Sequence, residues 1–292
     1  MLQEQMVEKV VREVLSMMQK NTGPIAPATQ LPIDDPVEVN DLVDIAGEEE
    51  RKRILIDAPA DREALERMME KTSARIGIGK SGPRLKTSTL LMLRADHAAA
   101  QDSVFTDMNT AILEKMGLFA VQTLCKDRNQ HLTRPDLGRQ FSEDTLKEIR
   151  SKCKPQPRVQ IYVSDGLSSK AIEANIESIL PALINGLNQY GIEIGTPFFV
   201  KFGRVPSMEP ISETLESEVT CVLIGERPGL ATSKSMSAYI AYKATVGMPE
   251  SRRTVVSNIH SGGLSAPEAG AYISDVIKKM LELRVSGVEL KM

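Results

Sequence analysis

The sequence predicts an α/β protein whose main domain is a Rossmann-like parallel sheet, preceded by a mainly helical domain and a flexible N-terminal amphipathic helix. Runs of apolar and β-branched residues predict the strands: 159–163, 198–202, 221–224 and 255–256. Runs without polar alternation are typical of strands buried on both faces. Helical patterns between the runs predict parallel crossover connections.

Each predicted strand continues directly into a segment that combines glycine with charged or hydroxyl side chains. These segments begin at Ser164, Gly203, Gly225 and Ser257, and the first of them contains Asp165 and Gly166. The loops at the carboxyl ends of parallel strands lie together and form the ligand crevice of such sheets. Glycine there lets the backbone approach a ligand closely, although it is also common in ordinary turns. Four junctions of this kind predict one shared site.

Length and composition exclude several classes of protein. The 292 residues are enough for two domains, and they are 41% hydrophobic and 26% charged with a net charge of −3. This balance gives no support to a nucleic-acid surface, and no segment approaches the roughly 20 apolar residues of a membrane helix. The cysteines, Cys125, Cys153 and Cys221, are too far apart for a disulfide framework or a zinc cluster. A reducing cytoplasm fits this usage.

Residues 1–20 carry an apolar stripe at helical spacing with charged residues on the opposite face. The interrupted apolar pattern and the acidic residues exclude a secretory signal and a mitochondrial presequence. Residues 21–45 contain four prolines and few large apolar side chains, which is typical of a linker. A helix on such a linker is expected to bury its apolar stripe in a groove on a partner protein. Packing on its own domain or on a sister chain is the alternative.

Residues 46–155 predict the mainly helical domain. A helix is expected over 46–76, a buried helix over 90–100, and a last helix over 143–153 that stops before two prolines. The inner face of the first helix is predicted to be Ala64, Leu65, Met68 and Met69.

The basic segment 75–84 contains G-x-G-x-x-G and Gly-Lys-Ser. A dinucleotide loop must follow a strand, and a phosphate loop needs glycine at the position of Ala74 and a helix after the serine. Here a helix is expected before the segment, and Gly82 and Pro83 would break a helix after the serine. We therefore expect this segment to dock on a partner subunit instead of binding phosphate.

Residues 156–292 predict the α/β domain. Its first crossover helix is expected to follow the capping residues Ser168 and Ser169 and to end near Gly191. Amide groups at that helix start are also suited to a phosphate, although capping alone explains the serines. The last helix is expected to follow Ser265.

The strand ends offer no nucleophile paired with a base and no set of metal ligands. Their polar side chains are Asp165, Arg204, Glu226, Arg227 and His260. This set favours a binding crevice, so no catalytic residue and no metal ligand is predicted. Glu226 is suited to accept hydrogen bonds from a large ligand, and its alternative is a salt bridge with Arg227 or another arginine.

These same loops resemble those of a known family, the small subunit of ethanolamine ammonia-lyase. The resemblance rests on residues 164–168, 195–200, 203–205, 225–230 and 257–260, together with 132–136 and 81–84. It covers nearly everything from about residue 60 onward.

The resemblance implies a subunit of a lyase that uses adenosylcobalamin to convert ethanolamine into acetaldehyde and ammonia, through cobalt–carbon homolysis and a substrate radical. A large barrel subunit supplies the substrate residues, and this subunit covers the cofactor. By motif, the contacts to cobalamin map to Val205, Glu226 and Val255, with Arg204 and Gly225 beside them. Several family members have cysteine at the position of Val255. Because valine lacks the thiol, the resemblance implies only a backbone or packing contact at Val255.

Residues 258–263 approximate a D-x-H-x-x-G signature in which a protein histidine binds cobalt. Asn258 replaces the aspartate, and the family keeps the cofactor's own benzimidazole on cobalt. We therefore expect that His260 is not a cobalt ligand.

The family also accounts for the start of the chain. Related small subunits carry a tethered amphipathic helix that directs the enzyme into a bacterial microcompartment. The resemblance thus implies shell proteins or sister enzymes as partners of residues 1–20, in addition to the large subunit. The alternatives are a stand-alone nucleotide- or phosphate-binding Rossmann-like protein and a purely structural assembly adaptor.

Overall fold

The computed structural model describes residues 47, 50, 52–72 and 74–291. The predicted N-terminal helix and linker, residues 1–20 and 21–45, lie outside these residues. The α-helices with described bounds are α1 (Arg62–Glu70), α2 (Thr87–Phe105), α3 (Thr110–Lys115), α4 (Arg128–Thr133), α5 (Glu143–Lys152), α6 (Ser169–Gln189), α7 (Met208–Leu215) and α8 (Ala266–Leu283). The strands are β1 (Lys80–Ser81), β2 (Arg84–Leu85), β3 (Phe119–Gln122), β4 (Val159–Ser164), β5 (Phe198–Lys201), β6 (Val219–Gly225), β7 (Met236–Tyr242) and β8 (Thr254–Ile259).

A six-stranded sheet in the order β3-β5-β4-β6-β7-β8 forms the centre of the fold. The first four strands are parallel, and β7 runs antiparallel to both β6 and β8. Strand β8 therefore points in the same direction as β6, and every strand of this sheet except β7 ends at the same edge. The prediction of an α/β fold with a mostly parallel sheet is confirmed.

Helix α6 follows the sequence pattern closely. Ser168 caps it, because its hydroxyl oxygen accepts a hydrogen bond from the Ala171 amide at 3.1 Å. Gly191 follows the helix with a φ of +65°, the left-handed conformation expected after a helix end. Helix α8 likewise begins after Ser265, as predicted.

Helices cover both faces of the sheet. Helices α6 and α8 bury their apolar stripes on one face, against Ile161, Leu223 and Ile240. Helices α5 and α7 pack on the opposite face, here called the second face, against Tyr162 and Val222. This arrangement places two layers of helix around the parallel part of the sheet.

Two strands of the six-stranded sheet were not predicted, nor were the two short strands β1 and β2. Strand β3 lies inside the predicted helical domain 46–155, yet it pairs with β5, so the sheet extends across the expected boundary at residue 155. Its four residues are too few to produce a periodic signal. Strand β7 consists largely of serine, alanine and tyrosine, which lack the β-branched signature of its neighbours. The division into domains otherwise stays a prediction.

The helices before β3 differ in detail from the prediction. Helix α1 spans only Arg62–Glu70; Leu65 is buried as expected, but Met68 is 54% exposed and does not belong to the inner face. The helix predicted over 90–100 exists as part of α2, but Leu90 and Leu91 are exposed. Several apolar side chains of these two helices are therefore exposed and do not contribute to the core.

No helix within the described ranges is both long and apolar enough to cross a membrane.

Candidate functional site

The four glycine-containing junctions meet at one edge of the sheet, as predicted. Direct hydrogen bonds connect the end of β4 to the ends of β5 and β6, and the end of β6 to β8. The bonds run from the Phe202 amide to Asp165 Oδ1 (2.7 Å), from the Leu167 amide to the Gly225 carbonyl oxygen (3.1 Å), and from the Asn258 amide to Glu226 Oε1 (3.2 Å). The loops therefore form a single connected surface.

Asp165 stands at the centre of this edge and is fully enclosed, with 1% of its surface exposed. Its second oxygen, Oδ2, accepts a hydrogen bond from Arg128 Nη2 at 3.1 Å. Burial raises the pKa of Asp165 to about 6, while the positive charge of Arg128 opposes that rise. Arg128 also lies over the ring of Phe202, 4.8 Å from its centroid. The pair thus ties α4 to the ends of β4 and β5.

Phe202 directly follows β5 and has the left-handed conformation, with a φ of +60°. A bulky side chain adopts this conformation only where the surroundings enforce it. Here the Thr123 hydroxyl donates to the Phe202 carbonyl oxygen at 3.0 Å, and the ring stacks on His131 at 5.7 Å between centroids. The backbone at this strand end is therefore held firmly.

His131 is a buried part of this edge that the sequence did not identify. Its Nε2 lies 2.9 Å from the Gly166 carbonyl oxygen. Burial and the positive charges of Arg204 and Arg128 lower the pKa of His131 to about 4, so the ring is neutral near pH 7 and donates from Nε2 to that carbonyl. Residues 132–136 contribute to the family resemblance, but no local sequence pattern indicates that the neighbouring His131 is buried.

Gly225 is the last residue of β6, and its surroundings leave no room for a side chain. A Cβ atom built there would lie 2.2 Å from the Ser168 carbonyl oxygen and 2.5 Å from that of Asp165. The loop after β4 therefore approaches β6 through backbone alone. By contrast, a Cβ atom on Gly229, four residues later, would have no neighbour within 4 Å.

Glu226 is half-buried. It contacts Ser237, which alternates along β7 with Met236 and Ala238 of the first face and so lies on the second face. Its Oε2 accepts from the Ser235 hydroxyl at 2.6 Å, and its Oε1 accepts from the Ser237 hydroxyl and from the Asn258 amide. Within residues 74–291 it forms no ion pair, so the predicted alternative of a salt bridge with Arg227 is wrong. Each carboxylate oxygen offers two acceptor sites, so Oε2 has one left for a further donor.

Two valines lie on the same face as Glu226. Val205 is half-buried in the 3-10 turn before α7 and belongs to the same apolar cluster as Tyr239. Val255 pairs directly with Tyr239 across β7 and β8 and is 45% exposed. We call the surface formed by Val205, Glu226, Tyr239 and Val255 the open corner.

Tyr239 was missed because β7 was missed. Burial, followed by the negative charge of Glu226, raises the pKa of Tyr239, so its hydroxyl stays protonated at neutral pH. The open corner thus combines apolar walls with an acidic acceptor and a phenol. This combination is suited to binding a ligand that has apolar surface and hydrogen-bond donors.

Two other predicted features lie outside the open corner. His260 is half-buried, and its Nδ1 accepts from the Gly262 amide at 3.1 Å. Its expected absence from the cobalt ligands stays a prediction. The segment 75–84 leads into the small antiparallel hairpin of β1 and β2, which spans residues 80–85. That hairpin differs from the strand-to-helix geometry of a phosphate loop, and its docking on a partner stays a prediction.

Comparison with known proteins gives a consistent result over the whole chain. Residues 62–291 match the family model for the ethanolamine ammonia-lyase light chain (EutC). An ethanolamine ammonia-lyase small subunit from Clostridium tetani is 54% identical, with all of both chains covered. Those from Clostridium perfringens and Fusobacterium nucleatum are 50% and 48% identical, covering 98% and 99% of this chain and 92% and 98% of the relatives. These relatives do not favour a stand-alone nucleotide-binding protein.

Proposed function

This chain belongs to the ethanolamine ammonia-lyase small-subunit family, and from that premise we propose that its open corner binds and encloses adenosylcobalamin. As a member of the family, the chain is one subunit of a hetero-oligomeric lyase with a large-subunit partner. In the proposed division of labour, the large subunit supplies the residues that hold ethanolamine. The complete enzyme releases acetaldehyde and ammonia by a radical mechanism.

Bound adenosylcobalamin supplies the radical chemistry, and the protein positions and encloses it. The residues of this chain have three tasks: Val205 and Val255 provide apolar contact, Glu226 accepts a hydrogen bond, and Gly225 keeps the loops close together. No proton transfer is assigned to them. A site built mainly for orientation and exclusion of water needs rigid supports, and the buried Asp165 and Arg128 pair is such a support.

The observation that carries the proposal is the placement of three residues distant in sequence. Val255 pairs with Tyr239, and the negative charge of Glu226 acts on the same tyrosine. Val205 packs against the apolar cluster of the second face, against which Tyr239 also packs. The rim of the corrin ring carries methyl groups and primary amides, which match apolar walls and a carboxylate acceptor. The free acceptor site on Glu226 Oε2 fits such an amide.

An activity assay tests the proposed function. The chain is produced alone and together with the large subunit, and each sample is supplied with ethanolamine and adenosylcobalamin. We expect acetaldehyde only from the pair. No product from either sample, with no cobalamin spectrum in the purified pair, would contradict the proposal.

We expect Glu226→Ala to weaken the binding of cobalamin to the two-subunit enzyme by roughly tenfold or more, because a charge-assisted hydrogen bond contributes about 1.5–3 kcal/mol. Equilibrium titration followed by visible absorbance measures the dissociation constant. Glu193→Ala is the matched control, because Glu193 is exposed and pairs with Lys154 at the surface, at 3.4 Å. Equal affinity of the Glu226 variant and the wild type would remove this residue from the site.

The finer features of the fold form part of the proposal. The parallel strands β4, β5 and β6 with the intervening helices α6 and α7 support a Rossmann-like unit. The sequence pattern of residues 1–20 supports an amphipathic helix that directs the enzyme into a bacterial microcompartment, through shell proteins or sister enzymes.

Removal of residues 1–20 is expected to leave activity intact and to abolish packaging, because the deletion takes away only the tethered helix. The measurement compares the specific activity of the purified enzyme with the fraction of enzyme that sediments with microcompartments. A point variant of residues 21–45 that keeps the helix serves as the control. Lost activity in the deletion would contradict this separation of roles.

A further inference from the structure

Three arginines gather beside the open corner. The Arg204 amide donates to the Gly138 carbonyl oxygen at 2.8 Å, which places the adjacent Arg139 next to it. Arg227 follows Glu226 directly on the loop after β6. Burial lowers the pKa of Arg204, Cys125 opposes this shift, and the positive charges of Arg227, Arg139 and Arg128 add to it, which agrees with a group of arginines in one region.

The carboxylates of this region have partners other than the three arginines. Asp165 pairs with Arg128 at 3.1 Å, and Asp136 pairs with Arg134 at 2.8 Å. The oxygens of Glu226 accept bonds from two serines and one amide.

The three arginines themselves lack a carboxylate partner. Within residues 74–291, neither Arg139, Arg204 nor Arg227 forms an ion pair, and the two outer side chains are exposed. Nε of Arg204 is buried with no hydrogen-bond partner there, while its Nη2 donates to the His131 carbonyl oxygen at 2.5 Å. Three guanidinium groups brought together without a counter-charge repel one another, and such an arrangement suits a bound anion.

We infer, on the basis of the proposed function, that Arg139, Arg204 and Arg227 bind the phosphodiester of the nucleotide tail of cobalamin. The corrin amides are neutral, whereas this phosphodiester carries a negative charge. Arginine binds phosphate oxygens through paired N–H donors, which adds geometric selection to the attraction of opposite charges. The arginine group and the open corner then recognise two parts of one ligand.

Two corrinoids that differ by one phosphate group test this inference. The two-subunit enzyme is titrated with adenosylcobinamide and with adenosylcobinamide phosphate, and visible absorbance reports binding. The wild type is expected to bind the phosphorylated compound roughly tenfold or more tightly. Arg204→Gln and the double variant Arg139→Gln/Arg227→Gln are expected to lose that preference while they keep the affinity for adenosylcobinamide. Arg150→Gln on α5, an exposed arginine, is the control and keeps the wild-type preference.

The outcomes separate the inference from the proposed function. Equal affinity of the wild type for both corrinoids overturns the inference and leaves the proposed cobalamin site intact. A preference that persists in the arginine variants, together with weakened association of the subunits, would assign the arginines to carboxylates of the large subunit and also overturns it. If the wild type binds no corrinoid at all, the proposed function fails and the inference fails with it.

Discussion

Replacement of Asp165 by alanine is expected to lower the free energy of unfolding of the subunit by about 3–5 kcal/mol, the cost of leaving a buried charge without its partner. The variant removes the only carboxylate within 3.1 Å of the buried Arg128 guanidinium among the described residues, and it removes the acceptor of the Phe202 amide. That amide belongs to a residue in the left-handed conformation. Both losses act on the same strand end, so they reinforce each other.

Urea denaturation of the full-length subunit measures this effect. Asp144→Ala is the matched control, because Asp144 is 92% exposed and pairs with Lys147 at the surface, where an ion pair contributes about 0–1 kcal/mol. A change of less than about 1 kcal/mol for the Asp165 variant would show that the buried pair does not support the site.

Gly225→Ala is expected to destabilise the subunit by about 1–3 kcal/mol, the usual effect of an extra methyl group in a closely packed place. The new Cβ would meet two backbone carbonyl oxygens, at 2.2 Å and 2.5 Å, and backbone cannot rotate aside as a flexible side chain does. The loop after β4 must therefore shift. Since Glu226 follows immediately, we also expect cobalamin affinity to fall by at least about tenfold.

The test combines denaturation with the cobalamin titration of the two-subunit enzyme. Gly229→Ala lies on the same loop and meets no atom within 4 Å, so it is expected to leave both quantities unchanged. If Gly225→Ala behaves like Gly229→Ala, the close approach between the two loops is not needed for either property.

The parts of the fold that the sequence predicts are those with a strong periodic signal. Every residue of strand β4 is buried, and helix α6 buries a continuous apolar stripe. Both apolar patterns are long enough to identify the elements from the sequence. Strands β3 and β7 were missed because the former is short and the latter is rich in serine and alanine. Their place in the sheet depends on pairing with distant strands, which no local pattern encodes.

The residues of the site can also be divided into those that the sequence predicted and those that it did not. Its glycine-containing junctions were predicted because they directly follow strong strands, and the geometry at Asp165 and Gly225 agrees with that reasoning. His131 and Tyr239 were missed, because tertiary contacts alone bring them there. The salt bridge considered for Glu226 was wrong, since β7 and the residue before it supply two serines that occupy the carboxylate instead.

Strand β8 has a further consequence for the subunit on its own. As the last strand of the sheet order it presents a row of backbone groups that can pair with another chain, and such edges promote aggregation. The register shift opposite Met236 and the left-handed Asn258 confine its regular pairing to Thr254–Val256. We therefore expect this short, irregular edge to resist pairing with another chain into extended sheets.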